Sequence, residues 1–492
     1  MIKTLQLQPI DKLAITLIVS LTLVIGGLIW LGNSCGNQCL LQTGPRVKEF
    51  SWENREIGSE DQAFIITFDR PMDHASVEKN LVIDPPLPGK LSWAGRRLAY
   101  TLTSPIPYGE KYHLQIEGAR EQFRSGNRLG QTLAIFEREF KSRDRAFAYI
   151  GTNGEEQGRL IFYNLTEEKK TLLTPANLTV MAFEFYPDGK KILFSAVAKN
   201  QGVQGIRELQ LYQVDSSQSP LKIELVLDNK DYQNNHFDLA KDGETIVVQR
   251  IERRNPINFD LWAVKSGEKP QQLNIQGGEF LIAPDSKTLA VTQGEGIALL
   301  PLKTETKPLD FLPKFGRILN FSADGTAAAM VNFNTDNAKM RYIRSLFYVN
   351  NQGLQKRLLN LQGSIIDCQF NATGSDLYCL LTELVTNSQE YKEKPYFAKI
   401  DVKTGQVTPL LELADYRDIH ISLSPDSLAI IFDQLRTSYD TNPTNPLTTD
   451  SGETIIGGRL WMLIPPLQDG VKASKSDLIE LPLAGIRPQW MP

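Results

Sequence analysis

A short turn motif recurs along most of this chain, and each copy lies between two apolar runs with strand-like alternation. The copies are Pro187-Asp188-Gly189, Lys241-Asp242-Gly243, Pro284-Asp285-Ser286, Ala323-Asp324-Gly325, the looser Asn371-Ala372-Thr373-Gly374, and Pro425-Asp426-Ser427. They fall roughly 40 to 55 residues apart, the period of propeller blades. A reversal between antiparallel strands needs residues that tolerate positive φ, and Gly, Asn and Asp do so at least strain. Around the first copy, Phe183 and Phe185 alternate before the turn and Ile192, Leu193 and Phe194 form a buried run after it. Leu209 to Val214 and Ile223 to Leu227 then supply a third and a fourth strand, which completes one antiparallel blade.

Inner strands fall near Phe183, Phe237, Phe280, Leu319, Ile366, Ile421 and Ile486 to Trp490, a count of seven. The last has no returning partner after it. Ala146 to Ile150, Leu160 to Asn164 and Thr171 to Thr174 are three strands that lack an inner one. The expectation is an all-β chain whose residues 144–492 form a seven-bladed β-propeller, closed by the C-terminal strand pairing into the first blade so that no sheet edge stays open.

Ser424-Pro425-Asp426-Ser427, Tyr186-Pro187-Asp188-Gly189 and Trp490-Met491-Pro492 resemble the blade motifs of the TolB-like class of β-propellers. That resemblance implies an architecture used mainly for binding, and a fold alone assigns no function. Residues 47–143 follow a different rhythm: Phe64, Ile66 and Phe68 alternate, as do Leu98, Tyr100 and Leu102, then Tyr112, Leu114 and Ile116, with Pro and Gly between. This is the pattern of a small β-sandwich. The run Phe68-Asp69-Arg70-Pro71-Met72-Asp73, with Val82 to Pro86 and Tyr108 to Tyr112, is similar to a bacterial Ig-like domain, which implies a spacer or adhesion module on an exported protein.

Leu13 to Leu31 is a stretch of roughly 19 uncharged, mostly apolar residues, close to the length that crosses a bilayer core. It is longer than a typical signal-peptide core, and Leu31-Gly32-Asn33-Ser34 makes a poor cleavage site. The expectation is a membrane signal anchor over residues 1–33, a linker over 34–46, and the bulk of a single-pass membrane protein held outside the cytoplasm, in the periplasm or its equivalent. In such an oxidising compartment cysteine positions matter. If Phe370 pairs with Leu377, Cys368 faces Cys379 across a hairpin; a cross-strand disulfide and two small buried hydrophobes both remain open. Cys35 and Cys39 pair with each other, link two chains, or stay free.

No catalytic constellation emerges. Gly32-Asn33-Ser34-Cys35-Gly36 fits a nucleophile-elbow pattern but follows an apolar helix rather than a sheet strand. The chain has no HExxH, no Walker loop, no GxGxxG after a strand and no CxxC, so neither a metal nor a cofactor is expected. His74, His113, His236 and His420 are the only histidines. His236 and His420 sit at the mouths of inner strands in blades three and seven, where imidazoles are ordinarily solvated or capped. The recurrent Asp188, Asp242, Asp285, Asp324 and Asp426 are explained by turn hydrogen bonds. With 53 Lys+Arg against 57 Asp+Glu and a net charge of -4, the chain has no overall basic footprint, so nucleic acid is not an expected partner.

The connections between second and third strands carry the best functional clue, because they share one face of a propeller and here are long and variable. Arg253 and Arg254 lie in one, Lys339, Arg341 and Arg344 in another, and Tyr439 in the longest, Leu435 to Gly458, where Arg436 to Gly457 reads as a flexible flap. These residues are the candidate partner-binding loops. The expected function is a non-enzymatic, membrane-anchored extracytoplasmic scaffold that recognises a protein or a cell-envelope polymer through its propeller. The alternatives are a propeller-based hydrolase or lyase, and a glycan-binding protein acting through Trp93 and Tyr100 of the Ig-like domain.

Overall fold

The computed structural model describes residues 9–34, 44–122, 130–302, 309–385, 391–414, 418–438, 447–449, 452–466 and 476–492. The chain divides into two compact units. The first holds two four-stranded antiparallel sheets. One has the order Val47–Phe50, Ala63–Phe68, Arg97–Leu102, Gly89–Ala94, and the other Glu56–Ile57, Phe136–Ser142, Lys111–Ile116, Leu81–Asp84. The alternation seen in sequence becomes burial here, since Phe64, Ile66, Phe68, Tyr112, Leu114 and Ile116 all point inward. Phe50 and Trp52 bridge the sheets: Phe50 lies 5.4 Å from Phe64 and 6.2 Å from Phe136, and Trp52 lies 5.1 Å from Phe64 and 5.2 Å from Phe140. These are the edge-to-face contacts that aromatic rings prefer.

The second unit comprises Ile57–Gln62, Ser104–Glu110 and Ser142–Pro492 and contains seven four-stranded sheets. Six run in sequence order, and the seventh joins Lys169–Leu172, Leu160–Asn164, Ala146–Gly151 and Gly485–Trp490. We number that sheet blade one and the others two to seven in chain order. In blade two, Gly189 takes φ 68° while the Asp188 carboxylate accepts from the Lys190 and Lys191 amides at 2.9 and 3.3 Å. Ser286 and Ser427 adopt the same left-handed geometry, φ 57° and 62°, where a repeat lacks its glycine. The recurrent aspartates therefore hold turns.

Each sheet is buried on both faces by its neighbours, because successive strand residues point to opposite sides. In blade three, Val247 enters the core shared with blade four, whereas Ile246 and Val248 enter the one shared with blade two. In blade six, Leu377, Cys379 and Leu381 pack toward blade five, and Tyr378 and Leu380 toward blade seven. Two of the seven inter-blade cores need the closing strand. Trp490, 4% exposed, packs 5.5 Å from Phe147 between blades seven and one, and Ile486 packs between blades one and two. The register Ile486↔Ile150 and Trp490↔Phe147 ties that strand to blade one.

One expectation is corrected here. Among the described residues no helix is long and apolar enough to cross a membrane, which overturns the single-pass anchor and the extracytoplasmic location drawn from it. A helix does form over Pro9–Ser34. Of the blade-seven insertion Arg436 to Gly457, residues 439–446 and 450–451 lie outside the described residues. Strands Ile430–Ser438 and Thr454–Ile464 extend into it and pair as far as Ser438↔Thr454, and Leu447 and Ile455 are buried in the core between blades one and two.

Polar side chains on inner strands link one blade to the next by accepting from its backbone. Glu184 takes the Leu239 amide at 2.9 Å, Gln369 the Leu423 amide at 2.8 Å, Ser422 the Trp490 amide at 3.0 Å, and Asp238 the Ile282 amide at 2.5 Å. Burial raises the carboxyl pKa of Glu184 well above its ordinary value, with the neighbouring Asp238 pushing the same way, and burial raises that of Asp238 to about 6. A raised folded-state pKa means that the folded chain binds protons more tightly than the unfolded one. The resulting stability is fully present below the ordinary carboxylate range and is lost as pH rises through about 6 and above.

Two outcomes are expected. Deleting residues 485–492 removes Ile486 and Trp490 from two cores, and Trp490→Ala alone should lower unfolding free energy by about 3–5 kcal/mol; an unchanged melting temperature for the deletion would contradict ring closure. The thermal stability of Glu184→Gln should vary less between pH 5 and pH 7.5 than that of the unmodified chain, and parallel pH profiles would show that the Glu184 carboxyl does not titrate there.

Candidate active site

A cavity of about 690 Å³ between blades five, six and seven is lined by Arg317, Ser364, Asp367, Thr382, Tyr391, Glu393, Asp418 and His420 among others. A second cavity of about 390 Å³, between inner strands of blades one, two, five, six and seven, is lined by Asn320, Gln369, Ser422, Arg487 and again His420. Several of these side chains owe their position to bulges, which insert an unpaired residue and re-aim the strand. The register slips between Ile365 and Asp367 in blade six, and between Ile486 and Gln489 in the closing strand, where Arg487 takes φ 51°.

His420 and Asp433 are the best-defined pair. The Ser424-Pro425-Asp426-Ser427 turn sets the register Ile421↔Phe432, which brings His420 opposite Asp433 one step further on. The Asp433 side chain is fully buried. One of its oxygens accepts from the His420 amide at 2.8 Å, and the other from the Arg487 amide at 2.7 Å. That second oxygen also lies 3.4 Å from Nδ1 of His420, a buried nitrogen with no hydrogen-bond partner, while 41% of the imidazole side chain stays exposed. A carboxylate only accepts, so it favours a proton on Nδ1 and leaves Nε2 as the basic nitrogen.

Asp367 stands near Arg317 and His420. Burial raises its carboxyl pKa, and hydrogen bonds from Gln369 and the Cys368 amide and the charges of Arg317 and His420 offset part of that rise. Nε2 of Gln369 donates to it at 3.0 Å. Arg317 is held by Glu279 at 3.0 Å and by the Ile366 carbonyl at 3.1 Å. The Glu393 carboxylate accepts from the hydroxyls of Thr382 and Tyr391. Together these residues supply a base, a carboxyl that holds its proton to higher pH than usual, and a fixed cation, which are the components of acid–base chemistry. Among the described residues no three His, Cys, Asp or Glu side chains gather as metal ligands.

The residues singled out in sequence lie elsewhere. Arg253 is consumed by the fold: its guanidinium meets Glu208 at 2.9 and 2.8 Å and the Asn229 carbonyl at 2.7 Å. Arg254 and Lys339 are exposed, and Arg341 and Arg344 lie over the rings of Tyr342 and Phe333 at 4.6 and 5.2 Å. Tyr439 lies outside the described residues, as do Cys35 and Cys39. Cys368 and Cys379 form a cross-strand disulfide with an S–S distance of 2.07 Å inside the core of blades five and six. In the first unit Tyr100 is core, stacked on Phe64 at 5.0 Å with its hydroxyl on the Leu87 carbonyl, and Trp93 stacks on His74 at 4.0 Å. His420 was noted in sequence only as a channel-mouth imidazole. Counting the hairpin back from the turn would have set Asp433 across from it, while Arg317 and Asp367 carry no sequence signal.

No family model matches the chain, and no curated protein does. Solved structures do match. An oligogalacturonate lyase in complex with manganese is 13% identical with a TM-score of 0.42, over 56% of this chain and 79% of that one. The periplasmic gluconolactonase of Pseudomonas aeruginosa is 13% identical with a TM-score of 0.41, over 70% and 99%. A structure described as TolB from Agrobacterium tumefaciens is 14% identical with a TM-score of 0.35, over 55% and 90%. These likenesses assign no reaction or substrate. They are consistent with the propeller and lend no support to the Ig-like resemblance. The expectation of a chain without enzymatic chemistry finds no support among these structures, which include propellers described as a lyase and as a gluconolactonase.

Asp433→Ala should lower unfolding free energy on the order of 3 kcal/mol, since two backbone amides lose their acceptor in a buried place. Denaturant unfolding measures this, and a change below about 0.5 kcal/mol would show that water replaces the carboxylate.

Proposed function

We propose that the chain is a propeller enzyme of the hydrolase or lyase class, working by acid–base catalysis in the cavity between blades five, six and seven. The observation that carries this reading is the His420–Asp433 pair: an imidazole in the wall of both cavities, its buried nitrogen set against a carboxylate from which water is excluded. In this reading Nε2 of His420 takes a proton, from water in a hydrolysis or from a carbon beside a carboxylate in an elimination. Asp433 keeps the ring in the required tautomer. Asp367, with its raised pKa, returns a proton to the leaving oxygen. Arg317 holds an anionic or developing oxyanionic group of the substrate. The polar lining of Ser364, Thr382, Tyr391 and Glu393 suits a hydroxyl-rich substrate such as a carbohydrate.

The purified full chain is assayed against oligogalacturonates, with the unsaturated product followed by absorbance, and against sugar lactones, with acid release followed by pH-stat. His420→Gln is expected to lower kcat at least about 100-fold with little change in KM and in melting temperature. Undiminished turnover by His420→Gln, or no turnover of either substrate class by the unmodified chain, would overturn the reading.

A further inference from the structure

The cavity of about 390 Å³ differs from its larger neighbour in charge. Asp367, Glu393 and Asp418 line the larger one, whereas among the described residues no carboxylate lines the smaller, and Arg487 does. Arg487 sits in the bulge between Ile486 and Gln489 and takes φ 51°, left-handed backbone that a long side chain rarely adopts. Such conformations persist where surrounding contacts impose them, and they gather at ligand clamps. Here the Arg487 amide donates to Asp433 at 2.7 Å and Nη1 donates to the Met181 carbonyl at 2.7 Å, so a guanidinium is fixed in the cavity wall.

Other polar groups in that wall have hydrogen bonds unmade. Gln369 does not: its amide nitrogen donates to Asp367 and to the Ile421 carbonyl, both at 3.0 Å, and its oxygen accepts from the Leu423 amide at 2.8 Å. The side-chain amides of Asn320 and Gln489, by contrast, have no partner among the described residues. Ser422 is 8% exposed; its oxygen accepts from the Trp490 amide at 3.0 Å, and its hydroxyl proton has no acceptor among the described residues. Arg487 and the Ser422 hydroxyl are donors, which suits an oxyanion. Asn320 and Gln489 both donate and accept, which suits hydroxyl groups. Phe183 and Pro488 supply apolar wall for carbon-bound hydrogens. The wall holds one permanent cation, and His420 is already set against Asp433, so the charge matches a carboxylate better than a phosphate dianion. We propose that this cavity binds a small carboxylic acid bearing several hydroxyl groups, its carboxylate on Arg487 and Ser422 and its hydroxyls on Asn320 and Gln489. The site goes beyond the catalytic reading, whose chemistry lies in the larger cavity, and requires no turnover.

Isothermal titration calorimetry of the full chain compares glucuronate and gluconate with their neutral counterparts glucose and sorbitol, and with glucose 1-phosphate. At least one of the two acids is expected to bind about tenfold or more tighter than its neutral counterpart and tighter than the phosphate. Arg487→Gln should abolish that preference for the acid. Asn320→Ala and Gln489→Ala, which break no hydrogen bond of the fold, should each weaken acid binding about fivefold while keeping the preference, and their melting curves should match that of the unmodified chain. No binding of either acid, equal binding of acid and neutral counterpart, tighter binding of glucose 1-phosphate, or undiminished acid binding by both Asn320→Ala and Gln489→Ala would overturn the proposal. Acid binding by a chain that turns over neither assay substrate would sustain this site and sink the catalytic reading; turnover lost in His420→Gln, with no binding of either acid, would do the reverse.

Discussion

The propeller depends on each sheet being covered on both faces by its neighbours. A single blade of this unit is apolar on both sides: Val247 serves one neighbour and Val248 the other, and the same division runs through Leu377 to Leu381. No blade can bury its surface alone, and an open row would leave one face of each terminal blade in water. Closure converts seven marginal sheets into a ring of seven cores, and the closing strand contributes Ile486 to one and Trp490 to another.

That same closure builds the candidate site. Inner strands have one hydrogen-bonding edge turned to the channel, with backbone amides that need acceptors. Side chains meet that need, and Asp433 does so twice, for His420 in its own blade and for Arg487 in the closing strand. A carboxylate recruited to join strands is thereby buried beside an imidazole. The chemistry proposed here arises from a structural necessity of the ring, and this also explains why the site mixes residues from several blades.

Much of the fold was legible along the chain. The Asp-Gly turns announced their hairpins because the backbone there demands positive φ, and counting away from one such turn set Cys368 opposite Cys379 while leaving open whether they join, which the structure shows they do. Loops were less legible. The blade-seven insertion reads as a flap from its Thr, Asn and Pro content, and of its described residues Leu447 and Ile455 are buried in a core, which composition cannot report. Arg253 looked available for a partner, but Glu208 of the preceding blade neutralises it. An apolar run near the start suggested a membrane span, while the described residues hold no helix long and apolar enough for one.

By itself the sequence determined the repeat, the strand period, the number of blades and the need for a closing strand, since these depend on local turn geometry and on the two-residue alternation of strands. The tertiary structure decided which side chains meet across the channel. Arg317, Asp367, His420 and Arg487 come from different blades, and their approach depends on ring curvature and on bulges that shift a strand by one residue. Neither property has a local signature, because each is set by how neighbouring sheets pack.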